Sequence, residues 1–213
     1  MKKGLDGQDI MTMKRLSNSQ RDDNIEGMNF RNSTGFSFDF LKNEGSLYLA
    51  SSEDGTIHKC SKSYTDGYLE SYFGHKGSVY KVRSNPFCSD LFLTCSADWT
   101  CGLWNWKEDS CKGFYKSLNL FDEVYDIEWN PWRSTMFGSV AKDGRLEIWD
   151  LSMEANDPIF TDPEDLKDKE LPARKTIKFS ANNPIIVTGD VNGDIKVYRL
   201  FGFDDSFNMP DKQ

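Results

Sequence analysis

A surplus of positive charge is missing from this sequence: 26 Lys and Arg stand against 34 Asp and Glu, a formal net charge of −8. No stretch concentrates the cations, so a polyanion would meet repulsion rather than release counterions, and no nucleic-acid partner is expected. Long apolar runs are missing too. Stretches such as Ile185-Ile186-Val187 are only a few residues long, far short of the roughly 20 that a membrane-spanning helix needs, so no membrane partner is expected. The start, Met1-Lys2-Lys3-Gly4, leads into polar sequence without an apolar signal region, which makes the cytoplasm the expected compartment. Histidine is scarce, and His58 and His75 stand at no ligand spacing. The five cysteines are odd in number and form no CxxC pair, which suits reduced thiols rather than a disulfide framework or a zinc site. No metal and no cofactor are expected.

What is present is aromatic and turn-rich. The 213 residues are enough for one sizeable core, and 14% aromatic content with six Trp, among short Gly- and Asp-marked turns, favours an all-β protein. Four turns recur in one context: Glu53-Asp54-Gly55, Ala97-Asp98-Trp99, Lys142-Asp143-Gly144 and Val191-Asn192-Gly193. Their second residues, Asp54, Asp98, Asp143 and Asn192, are 44, 45 and 49 residues apart, the period of a four-stranded propeller blade. Seven residues before each stand Leu47, Leu91, Met136 and Ile185; three after stand Ile57, Cys101, Leu146 and Ile195. Six after come Cys60, Trp104, Trp149 and Tyr198. Alternation on both sides of a tight turn marks a hairpin with a buried face.

Upstream, Tyr80, Val82 and Ser84 match Tyr125, Ile127 and Trp129, which reads as an innermost strand. It leads into Asn85-Pro86-Phe87 and Asn130-Pro131-Trp132, and proline makes both tripeptides loops. Residues 113–118 read as a fourth, outer strand. The layout is a polar leader over 1–33, blades over about 34–73, 74–118, 119–172 and 173–203, and a polar tail over 204–213. Ile10, Met11, Met13 and Leu16 are expected to form a short helix, and the acidic stretch 157–172 a solvated loop.

These residues resemble the WD40 repeat family: Trp149-Asp150 is its name-giving dipeptide, and Gly74-His75 matches its other signature pair. The resemblance implies a structural tetrad of His75, Ser96, Asp98 and Trp104 in the second unit, with Asp accepting from His, His meeting Ser, and Ser meeting the indole. A hydrolytic reading of the same His, Asp and Ser is set aside, since each has a structural partner. In the third unit Leu120 stands where the His would be and Ala141 where the Ser would be; the first and fourth lack the Trp.

Longer strings resemble dynein intermediate chains. They are Gly74 to Val82, then Asn85-Pro86-Phe87, then Leu91 to Trp99 with its Cys95-Ser96-Ala97-Asp98-Trp99 turn. The segments 54–61 and 147–151, with Asp157-Pro158-Ile159, resemble the axonemal branch, and within it the intermediate chain of the two-headed inner-arm dynein. The resemblance implies a non-catalytic scaffold that grips a dynein heavy chain tail beside a second intermediate chain and light chains, in the cytoskeleton of a cilium or flagellum. It implies no enzyme, and no phosphate-binding G-x-x-x-x-G-K-[ST] loop is present. The competing reading is a general WD40 adaptor, such as a ubiquitin-ligase receptor or a chromatin scaffold.

Four blades are fewer than the seven or so of the family resembled. Either the chain is part of a longer protein, or another segment or chain completes the ring. An unclosed ring exposes blade surfaces, so the isolated chain is expected to be poorly soluble or partner-dependent. Four aromatics are candidates for partner contact: Trp99 in a turn where Gly is usual, Phe87 and Trp132 in equivalent loops on the opposite rim, and Trp106 at a blade exit. Phe87 and Trp132 could equally plug their own blades, whereas Trp104 and Trp149 read as core.

Overall fold

The computed structural model describes residues 11–14, 32–108, 110–116, 122–154, 156–163 and 171–201. All regular structure among them is strand. Blade 1 comprises β1 (Gly35–Phe40), β2 (Leu47–Ser52), β3 (Ile57–Ser61) and β4 (Glu70–Tyr72). Blade 2 comprises β5 (Val79–Ser84), β6 (Leu91–Ser96), β7 (Cys101–Asn105) and β8 (Cys111–Tyr115), and blade 3 β9 (Val124–Trp129), β10 (Met136–Ala141), β11 (Leu146–Asp150) and β12 (Phe160–Asp162). Among the described residues blade 4 has three strands, β13 (Arg174–Phe179), β14 (Ile185–Asp190) and β15 (Ile195–Arg199). Each blade is an antiparallel meander in sequence order, the architecture of a β-propeller.

The central hairpins form because their turns force it. Gly55, Gly144 and Gly193 adopt φ of 83°, 85° and 88°, the left-handed region a residue with a Cβ avoids. In the second blade Trp99 takes the same conformation at φ 73°. Because the turns are equivalent, so are the cross-strand pairs: Phe92 faces Trp104 as Phe137 faces Trp149.

The blades bury their faces against one another. Leu49 and Ile57 of blade 1 pack with Val79, Val82, Phe92 and Trp104 of blade 2. Leu93, Cys95, Cys101 and Leu103 of blade 2 pack with Val124, Ile127, Trp129 and Phe137 of blade 3. Val140, Leu146 and Ile148 of blade 3 pack with Ile177, Phe179 and Ile186 of blade 4. The first strands are neighbours in turn, β1 to β5 to β9 to β13, so the four blades form an arc around one axis.

Two expectations need correction. Residues 11–14 are not helical: Lys14 bridges antiparallel to Asn32, and Ser33 N–H donates to Met13 O at 2.9 Å. Pairing with the chain leading into β1 satisfies backbone groups that a one-turn helix would leave open; Ile10 and Leu16 lie outside the described residues. The acidic stretch 157–172 is not all loop, since β12 lies within it and pairs Ile148 with Phe160 and Leu146 with Asp162. Asp162 is held there by Arg174 at 2.7 Å and by the Tyr198 hydroxyl at 2.6 Å, which ties blade 3 to blade 4.

Candidate interaction surface

Polar ties fix the geometry of each blade before any partner arrives. In blade 2 the expected tetrad forms with one substitution: Thr94, not Ser96, is its hydroxyl. Thr94 faces Gly102 across the hairpin, and a Cβ on Gly102 would lie 2.6 Å from Trp104 Nε1, 2.8 Å from Thr94 Oγ1 and 3.1 Å from His75 Nε2. Glycine there leaves the space in which all three groups meet. An indole N–H can only donate, so Trp104 donates to Thr94 at 2.8 Å and the Thr94 hydrogen turns to His75 Nε2 at 2.7 Å. That leaves His75 Nδ1–H for Asp98, 2.9 Å away. Ser96 sits two residues nearer the turn, past the Cys95–Cys101 pair, where its hydroxyl donates to Gly77 O and accepts from Asp98 N–H.

Burial alone would raise the Asp98 pKa, but hydrogen bonds from His75, Thr100 and the Lys76 N–H together hold it well below the usual carboxylate range. Asp98 therefore contributes stability above its unfolded pKa that is lost as pH falls through the acid range.

The other blades fill the same space differently. In blade 3 the serine role belongs to Ser139, which accepts from Trp149 Nε1 at 3.2 Å; Ala141 lies two residues closer to the turn, and Leu120 falls outside the described residues. Where blade 2 has Gly102, blade 3 carries Glu147, with fully buried Arg145 between it and Asp143. Blade 1 carries His58 at that position, facing Ala50. An imidazole thus enters from the strand itself, stacked on Tyr68 with centroids 3.7 Å apart and bonded through Nδ1 to Ser71 at 2.8 Å. In blade 4, Asp190 rather than Asn192 orders the turn, accepting the N–H groups of Asn192 and Asp194, both at 2.9 Å. Asp54 keeps its turn role and accepts from Ser52.

His58 makes a pH prediction. Burial lowers its pKa to about 4, against a smaller upward pull from Asp54, and Nε2 has no hydrogen-bond partner. A histidine whose folded pKa is depressed takes its proton more readily when unfolded, so stability is full above about pH 6.5 and falls as the pH drops towards 4. The loss should reach about 3 kcal/mol, read as a shift of the urea midpoint between pH 7 and pH 4.5. His58→Phe should remove most of that slope.

Each inner strand carries a bulge at the same place, where the register shifts at Phe36, Tyr80, Tyr125 and Lys175. The four side chains form a row across the arc: Phe36 to Tyr80 at 5.4 Å, Tyr80 to Tyr125 at 5.5 Å, and Lys175 Nζ 3.2 Å from the Tyr125 centroid. Below it runs a second row, Asp39, Arg83, Glu128 and Lys178, alternating in sign and lining a shallow cavity. Glu128 takes Arg83 Nε at 3.4 Å and Lys178 at 2.7 Å, while Asp39 accepts the Ser84 N–H at 2.7 Å. Lys81 pairs with Asp126 between the rows. Sequence reading had placed mainly Tyr, Val, Ile and Trp on these strands and missed the charged row. The signal lay in the charged residues between the apolar ones, Asp39, Arg83, Glu128 and Lys178, each one step after an apolar residue.

The Asn-Pro-aromatic loops are Asx turns on the rim opposite the tetrad turns. Asn85 Oδ1 accepts from Phe87 and Cys88 N–H, and Asn130 Oδ1 from Trp132 and Arg133 N–H. Trp132 is buried, packs edge-on against Phe179, and donates Nε1–H to Ala181 O at 2.9 Å, so it plugs the seam between blades 3 and 4. Phe87 is half-buried. Trp106 is half-buried as well, donating to Ser89 O at 2.9 Å beneath Lys59 and Lys107. Asp150 closes the third blade on that rim, accepting from Thr135 at 2.8 Å and from Ser152. Of the four candidate aromatics only Trp99 is exposed, at 45%.

The five cysteines are unpaired thiols. Burial pushes Cys60 up to about 11 and raises Cys95 and Cys101 well above the usual thiol value, so all three are core groups rather than nucleophiles. Among the described residues no three His, Cys, Asp or Glu side chains come together as a metal site, and no helix is long and apolar enough to cross a membrane.

Residues 67–105 match the family model described as WD domain, G-beta repeat. Over 94% of its length the chain is 38% identical to "Dynein axonemal intermediate chain 4" of Mus musculus, covering 25% of that protein. It is 34% identical to "Dynein intermediate chain 2, ciliary" of Heliocidaris crassispina, over 78% of this chain and 23% of the relative. It is 31% identical to "Dynein, 78 kDa intermediate chain, flagellar outer arm" of Chlamydomonas reinhardtii, over 78% of this chain and 24% of the relative. The chain thus spans about a quarter of the length of the curated relatives it matches.

Proposed function

We propose that this chain is a non-catalytic WD40 scaffold of an axonemal dynein, of the inner-arm type, that holds a heavy-chain tail in the company of a second intermediate chain and light chains. The observation that carries the reading is 38% identity to an axonemal dynein intermediate chain over nearly the whole chain. A scaffold role is supported by the inner strands, where Lys81, Asp126, Arg83, Glu128 and Lys178 are engaged with one another rather than poised towards a substrate. The relatives named above carry ciliary and flagellar names, which supports a place in the axoneme. Affinity purification from cilia followed by mass spectrometry should recover dynein heavy chains; recovery of cullins or histones in their place would overturn the reading in favour of a general adaptor.

Trp99 is the contact residue this reading favours. A left-handed backbone costs a β-carbon-bearing residue about 1–2 kcal/mol, and the three sister turns avoid that cost with glycine. Strain kept at an exposed aromatic is what a binding anchor would show. Trp99→Gly should therefore leave the chain as stable or up to about 1 kcal/mol more stable, while lowering heavy-chain recovery several-fold. Unchanged recovery from a stably folded variant would remove Trp99 from the interface.

A further inference from the structure

The cavity on the rim of the Asn-Pro loops holds more positive charge than its carboxylates balance. Three cations line it, Lys42, Arg83 and Lys178, against the carboxylates of Asp39 and Glu128, in a chain whose formal net charge is −8. Glu128 takes both Arg83 and Lys178, while Asp39 accepts the Ser84 N–H. Among the described residues the Lys42 ammonium has one partner, the Pro86 carbonyl at 3.1 Å, and no carboxylate. Arg83 uses Nε and Nη1, each in a bond of 3.4 Å, and keeps Nη2 unspent.

The wall around these donors is built for a small acidic group. Ser84 stands where the other three inner strands carry an aromatic, Phe40, Trp129 and Phe179, and so fills less of the wall. Its hydroxyl is buried with no hydrogen-bond partner among the described residues, a state that few native polar groups keep without a reason. Pro86, Pro131 and Trp129 supply apolar surface, which suits the methylenes behind a carboxylate. Because Glu128 already holds Arg83 and Lys178 in place, little order is lost when a ligand arrives. An excess of one positive charge matches a single carboxylate, whereas a phosphate dianion would leave a negative charge unbalanced beside Glu128.

We propose that this cavity of about 290 Å³ docks an acidic segment of a partner protein, one Glu or Asp side chain accepting from the Lys42 ammonium and Arg83 Nη2. The site uses only residues within the four blades, whatever completes the ring. It stands on the cavity's own chemistry and does not require that the partner be a dynein heavy chain.

Fluorescence anisotropy of a fluorescein-labelled octaglutamate peptide, titrated with the full chain, reads the site. Lys42→Ala removes an exposed ammonium whose one bond is to a loop carbonyl; circular dichroism should be unchanged and the peptide should bind about five-fold more weakly or worse. Glu128→Gln frees Arg83 and Lys178 and should tighten binding about three-fold or more, a gain that damage to the fold cannot produce. Lys116→Ala, exposed just beyond β8 on the outer edge of blade 2, should leave the affinity as it is. Equal weakening by Lys42→Ala and Lys116→Ala overturns the proposal, since the peptide would then sense overall charge alone. Weaker binding by Glu128→Gln overturns it, as does a parent chain that does not bind the peptide at millimolar concentration. Inorganic phosphate that displaces the peptide at equal concentration assigns the cavity to phosphate and overturns it too. Each of these outcomes leaves the axonemal dynein reading standing.

Discussion

Trp104→Ala is expected to remove about 3–5 kcal/mol of stability, about a fifth or more of the roughly 5–15 kcal/mol typical of a folded domain. The indole is fully buried, stacks parallel on Phe92 at 6.1 Å and meets Phe114 edge-on at 5.8 Å and Tyr72 at 6.3 Å. Truncation opens a cavity at the seam between blades 1 and 2, since Tyr72 belongs to the first blade and Phe92 to the second. It also removes the donor that orients Thr94. Trp104→Phe should recover most of the packing but not the hydrogen bond, leaving a deficit of about 1 kcal/mol. Urea unfolding followed by circular dichroism reads both. A loss below about 1 kcal/mol for the alanine variant would mean that the seam is not a packed core.

Much of this was legible because the period and the alternation are local. The four turns, the hairpin faces and the loops after Asn-Pro follow from residues close in sequence. The tetrad hydroxyl was misassigned because Thr94 and Ser96 point to the same side of β6, and only the register across the hairpin tells which one faces Gly102. The substitutes in blades 1 and 3 were missed for a related reason. A search for a His in the preceding loop overlooks that a side chain in the Gly102 position reaches the same space, as His58 and Glu147 do. The charged inner row escaped notice because the bulges at Tyr80 and its counterparts break the simple two-residue alternation. The solvated reading of 157–172 failed at β12, where Asp162 has Arg174 and Tyr198 as partners that lie distant in sequence.

The buried cluster that replaces a histidine in blade 3 should be the most asymmetric site in the molecule. Arg145 and Glu147 are both buried, their Nε and Oε1 atoms 3.3 Å apart, yet neither atom is in hydrogen-bonding geometry and Arg145 Nη2 has no hydrogen-bond partner. Removing one member of a buried pair strands the other, so Arg145→Met should cost about 3–5 kcal/mol. Replacing both, Arg145→Met with Glu147→Leu, should return stability to within about 1 kcal/mol of the parent or exceed it, because the desolvation of two incompletely satisfied charges is removed together. The pH dependence separates this account from a packing effect. Burial raises the Glu147 pKa, against the lowering influence of Arg145 and the Ser139 hydroxyl. A carboxyl whose folded pKa exceeds its unfolded one binds its proton more tightly in the native state, so stability falls as the pH rises through that window. Loss of Arg145 removes the main opposing influence, which widens the window upward. The single variant should therefore be least impaired in mild acid and most impaired near neutrality, while the double variant should show no such trend. Equal losses at both pH values in Arg145→Met would attribute its effect to lost contacts instead of a stranded carboxylate.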